Sequence, residues 1–358
     1  VCSLVKEEIR YRWLESGFKK GPIYAVNPKY DKVADRPCYK SLTALNKQIE
    51  LALIATPAEK VPGILDECGE FGIKAAVVHS GGFAESGGNG PDLLEKMVDA
   101  ARRNRIRVLG PNCLGVIRPQ SGLNASFGTE RPMRGNVALV SQSGAVCSAM
   151  VDWSGPRQVG FSAVVSLGAS ADVDFGDLLD YLALDSQTLS ILLYVEGIRD
   201  ARRFMSGLRA AARLKPVIVV KTGRCPAGSR AVKSHTGAFV GSADVFRVVM
   251  ERAGVVQVDA LDQLFAAAQV FGARKRLAGD RLAIVTNGGG PGVLAADRAV
   301  EMGMSLSRFT KDTLQKLESA LPDNWSNGNP VDIIGDAPPE RYRAALDACL
   351  ADPNVDGV

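Results

Sequence analysis

A chain of 358 residues exceeds what one hydrophobic core usually supports, so two or three domains are expected before any motif is read. With 46% hydrophobic and 23% charged residues, and 43 basic against 39 acidic side chains without blocks of like charge, the composition excludes a disordered chain and argues against a nucleic-acid partner. Seven scattered cysteines without a CxxC pair fit a reduced cytoplasm, and no apolar stretch reaches the roughly 20 residues of a membrane helix, so a cytoplasmic protein is expected.

Along the chain, short Val/Ile/Leu runs at Ile23–Val26, Leu51–Ala55, Ala75–Val78 and Arg107–Leu109 read as strands, with amphipathic helical patterns at Ala58–Phe71 and Asp92–Arg103 between them. Strands alternating with helices predict an α/β fold with parallel sheets covered by helices on both faces. Ile117–Asn136, rich in Pro, Gly, Ser and Arg, reads as an interdomain linker. A second series follows, with strands near Val137–Val140, Phe161–Ser166, Ile191–Val195, Val217–Val220 and Val255–Val258, which predicts a flavodoxin-like domain ending near Gly272. After a basic segment, Ala273–Asp280, the strand Leu282–Thr286 opens a third unit with two strands and two or three helices. The domains are placed at 1–120, 136–272 and 280–358. The start without methionine and the strand-like ending Val355–Val358 read as cut ends.

Several loops could carry chemistry. His235 lies in the polar run Lys233-Ser-His-Thr-Gly-Ala238, read as a loop before a helix near Ser242. A neutral imidazole there could accept a phosphoryl group, or the residue could be a solvated loop histidine. Ser141-Gln142-Ser143-Gly144 joins a strand to the apolar helix Ala145–Trp153, so free N–H groups could hold a phosphate, or the helix could simply be capped. Glu196 closes the strand Ile191–Val195 at the edge where open α/β sheets bind ligands, and could hydrogen-bond the ring of His235 or serve as a surface acid. Asn27-Pro28-Lys29, Ser80-Gly81-Gly82 and Gly110-Pro111-Asn112 each follow a strand, suited to a nucleotide-like ligand or to turn chemistry alone. Thr286-Asn-Gly-Gly-Gly-Pro-Gly292 is glycine-rich between strand and helix but lacks the Lys-Ser/Thr of a Walker loop. No metal site is expected.

Taken in order, Leu109-Gly-Pro-Asn-Cys-Leu-Gly-Val116, Ser141-Gln-Ser-Gly-Ala145, the run Ala171–Leu179, Tyr194-Val-Glu-Gly-Ile198 and Ser234-His-Thr-Gly-Ala238 resemble the nucleoside-diphosphate-forming acyl-CoA synthetases. The likeness extends to the α subunit of succinyl-CoA synthetase and, more closely, to the ADP-forming acetate–CoA ligases. It covers nearly the whole chain, and implies a Rossmann-like CoA-binding domain followed by flavodoxin-like succinyl-CoA-ligase-type domains. By that resemblance His235 is the phosphorylated residue and Glu196 steadies its ring. Ser141, Gln142, Ser143 and Gly144, with Thr236 and Gly237, would bind phosphate. Asn27, Pro28, Lys29, Thr56, Pro57, Ser80, Gly81, Gly110, Pro111 and Asn112 would contact CoA.

The reaction implied joins a small carboxylic acid, CoA and ATP reversibly to acyl-CoA, ADP and phosphate, through an acyl phosphate and a phosphohistidine. ATP/ADP and Mg2+ would belong to an ATP-grasp domain or subunit outside this chain, within an oligomer of α and β parts. The resemblance also extends, through Arg202–Ser206 and Lys215–Lys221, to fused proteins with a C-terminal acetyltransferase domain, which makes a CoA-binding regulatory region of a lysine acetyltransferase the alternative. A nicotinamide dehydrogenase is disfavoured, since no GxGxxG is followed by an acid about 20 residues on. Two departures stand out: Val1–Trp13 carries no glycine where the family places a glycine turn, and Ala169 stands where relatives often carry Asn.

Overall fold

The structure, a computed structural model, describes residues 2–5, 22–33, 36–236, 242–273 and 277–358, with residues 2–5, 231 and 233–236 described by their backbone alone. The chain divides into two units, Val1–Arg274 and Lys275–Val358.

The first unit holds two seven-stranded sheets. In the first sheet, β1 (Cys2–Val5), β2 (Tyr24–Val26), β4 (Arg36–Tyr39), β5 (Leu51–Ala55), β6 (Ala75–Val78) and β7 (Arg107–Leu109) run parallel in the order β4-β2-β1-β5-β6-β7, with the short β3 (Lys32–Val33) antiparallel on the edge. That is the doubly wound Rossmann order, whose direction reverses between β1 and β5. Four of these strands stand where the sequence places them or within a residue. The central strand β1 was not read from the sequence, because four residues next to a charged run give no period to count.

In the second sheet, β10 (Arg134–Ser141), β11 (Phe161–Ser166), β12 (Ser190–Val195), β13 (Val217–Lys221) and β14 (Val256–Val258) run parallel in the flavodoxin-like order β11-β10-β12-β13-β14. The expected linker 117–136 instead contributes strands to this sheet. β8 (Gly115–Arg118) and β9 (Leu123–Ser126) form a hairpin that pairs antiparallel with β11 through Val164 and Ile117. Two four-residue strands around Pro119–Gly122 are too short to show alternation, and their turn residues dominate the composition.

Side-chain alternation explains why both sheets share one unit. In β5, Leu53 and Ala55 face one core while Ala52 and Ile54 face another; in β10, Ala138 and Val140 divide from Val137 and Leu139 in the same way. Leu53, Val77 and Leu109 of the first sheet join Ala138, Val140, Ile191 and Leu193 of the second in a single core with Phe175, Leu179, Phe204 and Leu208 from two intervening helices. Such two-faced burial, worth about 1.5–3 kcal/mol for each large aliphatic side chain, accounts for the near-continuous apolar runs of these strands. Among the described residues no helix is long and apolar enough to cross a membrane.

The second unit has β15 (Arg281–Leu282) paired with β17 (Ser305–Leu306), β16 (Val285–Thr286) paired with β18 (Val331–Asp332), and helices at Gly289–Glu301, Lys311–Ala320 and Pro339–Leu350. The single strand expected over Leu282–Thr286 is split, and the Asn329 side chain bridges the split by accepting from the Ile284 N–H at 3.0 Å and donating to the Leu282 carbonyl at 2.7 Å. Asp356 accepts from the main-chain N–H of Arg281 at 3.0 Å and from its Nε and Nη2 at 2.8 Å each. These bonds pull its carboxyl down to about 2. A folded pKa below the unfolded value near 4 gives stability that is present above about pH 4 and lost as pH falls towards 2. The Asp356 carboxyl resonance should therefore titrate near 2; a midpoint near 4 would show that the Arg281 fork is not held in solution.

Candidate functional site

Two clefts of the first unit are lined by nine of the site residues singled out by sequence. The first, about 410 Å³, opens at the carboxyl ends of β2 and β5, beside the reversal of strand order. Asn27, Pro28, Lys29, Thr56 and Pro57 all line it. Asn27 Oδ1 accepts from the Lys29 N–H at 2.9 Å, and the Thr56 N–H donates to Ser80 Oγ at 3.0 Å. Tyr30, Lys40, Ser41 and Lys60 line the same cleft and were missed by sequence reasoning. Lys60, three residues beyond Pro57, could have been found by position; Lys40 is brought in by β4 and already pairs with Asp31 at 2.6 Å. A cleft with ammonium groups and amide hydrogen-bonders fits the phosphates and pantetheine amides of CoA. The turn after β1 lies outside the described residues.

The second cleft, about 390 Å³, is lined from the first sheet's loops by His79, Glu85 and Asn112 and from the second sheet by Gln142, Ser143, Gly144, Gly168 and Ala169. Ser80 connects the clefts: its hydroxyl holds Thr56 and its carbonyl accepts from the Asn112 N–H at 2.9 Å. Gly81 adjoins Asn112, since a Cβ there would lie 3.4 Å from Asn112 Oδ1. Gly110 and Pro111 are buried and serve as framework, with the Gly110 carbonyl accepting from Ala171 N and the Pro111 carbonyl from Ala169 N. Asn112, at φ 56°, is the member of that turn exposed to the cleft.

The Ser141–Gly144 turn stands at the flavodoxin switch point between β10 and β12. Ser141 Oγ donates to the Ser143 carbonyl at 2.8 Å and accepts from its N–H at 3.0 Å, while Ser143 Oγ caps the helix Gly144–Ser154 by accepting from Val146 N. The N–H groups of Gly144 and Ala145 are thus left to the cleft, at the positive end of the helix. Gln142 is committed elsewhere: its Oε1 accepts from the N–H groups of Glu196 at 2.7 Å and Gly197 at 3.0 Å, and its Nε2 donates to the Gly197 carbonyl at 3.0 Å. Its side chain ties the two loops of the switch point together rather than meeting a phosphate directly. Ser141 is likewise buried and spent on the turn.

Glu196 directly follows β12 and is 5% exposed, so the strand-end acid is not a surface residue. His235 does not stand in a loop; its backbone belongs to the last turns of the helix Pro226–Thr236, whose side chains from 233 to 236 are outside the described residues, as is Gly237. Thr236 ends that helix. Pro226 starts the helix, where its missing N–H costs nothing. This helix approaches the short turn Ala84–Ser86, which carries the cleft residue Glu85.

His79, the other histidine, was not singled out from sequence. Its Nδ1 lies 2.9 Å from the Cys113 carbonyl, an acceptor, so Nδ1 carries the hydrogen; its ring meets Phe127 edge-on at 5.5 Å. Burial lowers it to about 4, against the pull of that carbonyl, so it is neutral at physiological pH. In the second unit, Thr286 Oγ1 donates to the Gly288 carbonyl at 2.9 Å and accepts from its N–H at 3.1 Å, the same bonding scheme as at Ser141.

Comparison with known proteins agrees with this architecture. Family models match a CoA binding domain at 9–119, a succinyl-CoA ligase like flavodoxin domain at 134–271 and a Ligase-CoA domain at 282–358. The chain is 43% identical to acetate–CoA ligase [ADP-forming] I of Archaeoglobus fulgidus over 94% of its length, covering 49% of that relative. It is 38% identical to the α subunit of acetate–CoA ligase [ADP-forming] II of Pyrococcus furiosus, covering 95% of itself and 74% of the subunit. The solved acetyl-coenzyme A synthetase 1 of Ca. Korarchaeum cryptofilum, in complex with phosphate and ADP, superposes with a TM-score of 0.92 at 34% identity, over 99% of this chain and 78% of that one.

A Rossmann sheet sharing its core with a flavodoxin-like sheet, followed by a Ligase-CoA unit, is the domain arrangement of the α-type part of succinyl-CoA-ligase-like proteins. The chain belongs to the ADP-forming acetate–CoA ligases, of which it is the α-type part. It spans about half the length of the single-chain relatives, 49% of one and 45% of another.

Proposed function

We propose that this chain handles CoA and phosphate for a ligase that converts a small carboxylic acid, CoA and ATP into acyl-CoA, ADP and phosphate. The observation that carries this reading is the meeting of a phosphate-suited helix terminus with the buried acid Glu196 at one switch point, tied together by Gln142. In the direction of ATP synthesis, a phosphate oxygen attacks the thioester carbonyl of acyl-CoA. The C–S bond breaks, and the thiol leaves with its proton as acyl phosphate forms. The imidazole of His235 then attacks phosphorus, making an N–P bond as the P–O bond to the acyl group breaks and the carboxylate departs. ADP on an ATP-grasp domain or subunit takes the phosphoryl group. Catalysis rests on positioning and on the N–H groups of Gly144 and Ala145 facing the phosphate charge. CoA, when bound, supplies the thiol; Lys29 and Lys60 would face its phosphates and Thr56 its amides.

The names of the relatives as ligases favour this reading over a regulatory region of an acetyltransferase. Acetate, or an acid close to it in size, is the proposed substrate. The complete ligase should form ATP from ADP, phosphate and acetyl-CoA with equal release of CoA, and Lys60→Ala should weaken CoA binding about three- to tenfold, less so at high salt. CoA release without phosphate dependence would overturn the reading.

A further inference from the structure

We propose that Lys221 is a positioning residue for phosphoryl transfer: from the end of β13 its ammonium group fixes the Glu196 peptide and supplies the positive charge beside the Glu196 carboxylate. The inference rests on the proposed pairing of Glu196 with His235.

Lys221 and Glu196 are each 5% exposed, which is costly for charged groups unless they answer one another. Lys221 Nζ donates to the Glu196 carbonyl at 2.8 Å and to the Thr222 carbonyl, and lies 6.0 Å from the centre of the Phe246 ring. On the other side of the same residue, the Glu196 N–H is held by Gln142 at 2.7 Å. The Glu196 main chain is therefore fixed at both its N–H and its carbonyl, one end by an amide and the other by a cation. An amide or hydroxyl donor would have sufficed to hold a carbonyl, so the charge itself needs a reason.

The neighbours supply one. Toward the helices Ala201–Leu214 and Ala243–Arg252, Lys221 borders a cavity of about 260 Å³ whose other lining residues are uncharged, among them Phe204, Met205, Phe246 and Val249. It faces Glu196, which directly follows β12, with Tyr194 two residues before; past its own strand end at Thr222 it borders a second cavity, of about 650 Å³, whose charged residues, Arg224 and Asp259, pair with each other, with Cys225 beside them. Burial lowers Lys221 to about 8 while Glu196 raises it, so the ammonium form is the main one at neutral pH. Burial, with the Glu196 charge, raises Tyr194 instead, away from this range. A phosphate arriving at the Ser143–Ala145 helix terminus brings negative charge towards the same switch point. Without Lys221, Glu196 would take up a proton more readily to relieve that repulsion, and a neutral carboxyl group is a much weaker acceptor for an imidazole N–H than a carboxylate.

The test uses the complete ligase with Lys221→Met and Lys221→Arg, following labelling by radioactive phosphate in the presence of acetyl-CoA and the pH profile of kcat. Lys221→Met should lower the labelling rate about tenfold or more with the KM for CoA within about twofold, and move the acidic limb of kcat upward by about one pH unit. Lys221→Arg should recover most of the rate and lose the wild-type decline above about pH 8, because a guanidinium keeps its proton there. Wild-type labelling and an unmoved acidic limb in Lys221→Met would overturn the proposal. Should that variant not fold, an alkaline limb in Lys221→Arg identical to wild type would overturn it equally. His235→Ala serves as the separate control: label that survives there defeats the phosphohistidine reading itself, whatever Lys221 does.

Discussion

The His235→Ala ligase should carry no acid-labile, base-stable phosphate and should lose at least about three orders of magnitude in turnover, with CoA affinity unchanged. The expectation follows from chemistry: a neutral imidazole is the one side chain of this chain's Ser234–Ala238 motif that is nucleophilic at neutral pH, and the phosphoryl group must wait on protein between acyl phosphate and ADP. The backbone supports it, since His235 lies near the end of a helix that approaches Ala84–Ser86 at the rim of the Asn112 cleft. His235→Asn, which keeps a polar side chain without the nucleophile, should behave like alanine. Phosphoprotein chemistry with and without acid treatment decides the matter; label persisting in either variant would place the carrier elsewhere.

Gly110→Ala should destabilise the chain by about 2–4 kcal/mol, measured as a shift in urea midpoint at constant slope. Gly110 sits at φ +107°, a backbone conformation that side chains rarely adopt. A Cβ there would overlap the Val78 carbonyl and lie 3.1 Å from Cys113 Sγ. Neither neighbour can yield, because Val78 is fully buried in β6, paired with Ile54 of β5, and Cys113 is 2% exposed. Moving the turn would carry with it the Ala171 N–H bonded to the Gly110 carbonyl and the Asn112 N–H bonded to Ser80, and so disturb both clefts at once. Gly122 is the comparison: at φ +72° with open space around it, its alanine variant should cost only the backbone term of about 1 kcal/mol. Equal effects at the two positions would mean that steric overlap at Gly110 is relieved.

Sequence reasoning found what is encoded locally. Strands such as Leu51–Ala55 and Val217–Lys221 are legible because both faces are buried, which leaves an unbroken apolar run. Of the residues lining the first cleft, Asn27, Pro28 and Lys29 could be named from their strand-end turn, while Thr56 and Pro57 were reached through the family resemblance. What escaped depends on distant partners. β1 and the β8–β9 hairpin have too few residues to show a period and exist because a neighbouring strand pairs with them. The helical state of His235 was hidden by a polar, serine- and glycine-containing segment whose local preference is for a loop.

The sequence by itself determined that the chain is α/β, where its strand-end loops lie, and which family its ordered motifs resemble, since period, turn chemistry and motif order are properties of neighbouring residues. Only the tertiary structure decided that the two sheets share one core, that Gln142 straps Glu196 instead of reaching outward, and that Lys40, Lys60 and His79 line the clefts. It also decided that Lys221 lies buried against the Glu196 carbonyl. Each of those facts joins residues tens of positions apart, and such pairings are set by strand order and packing.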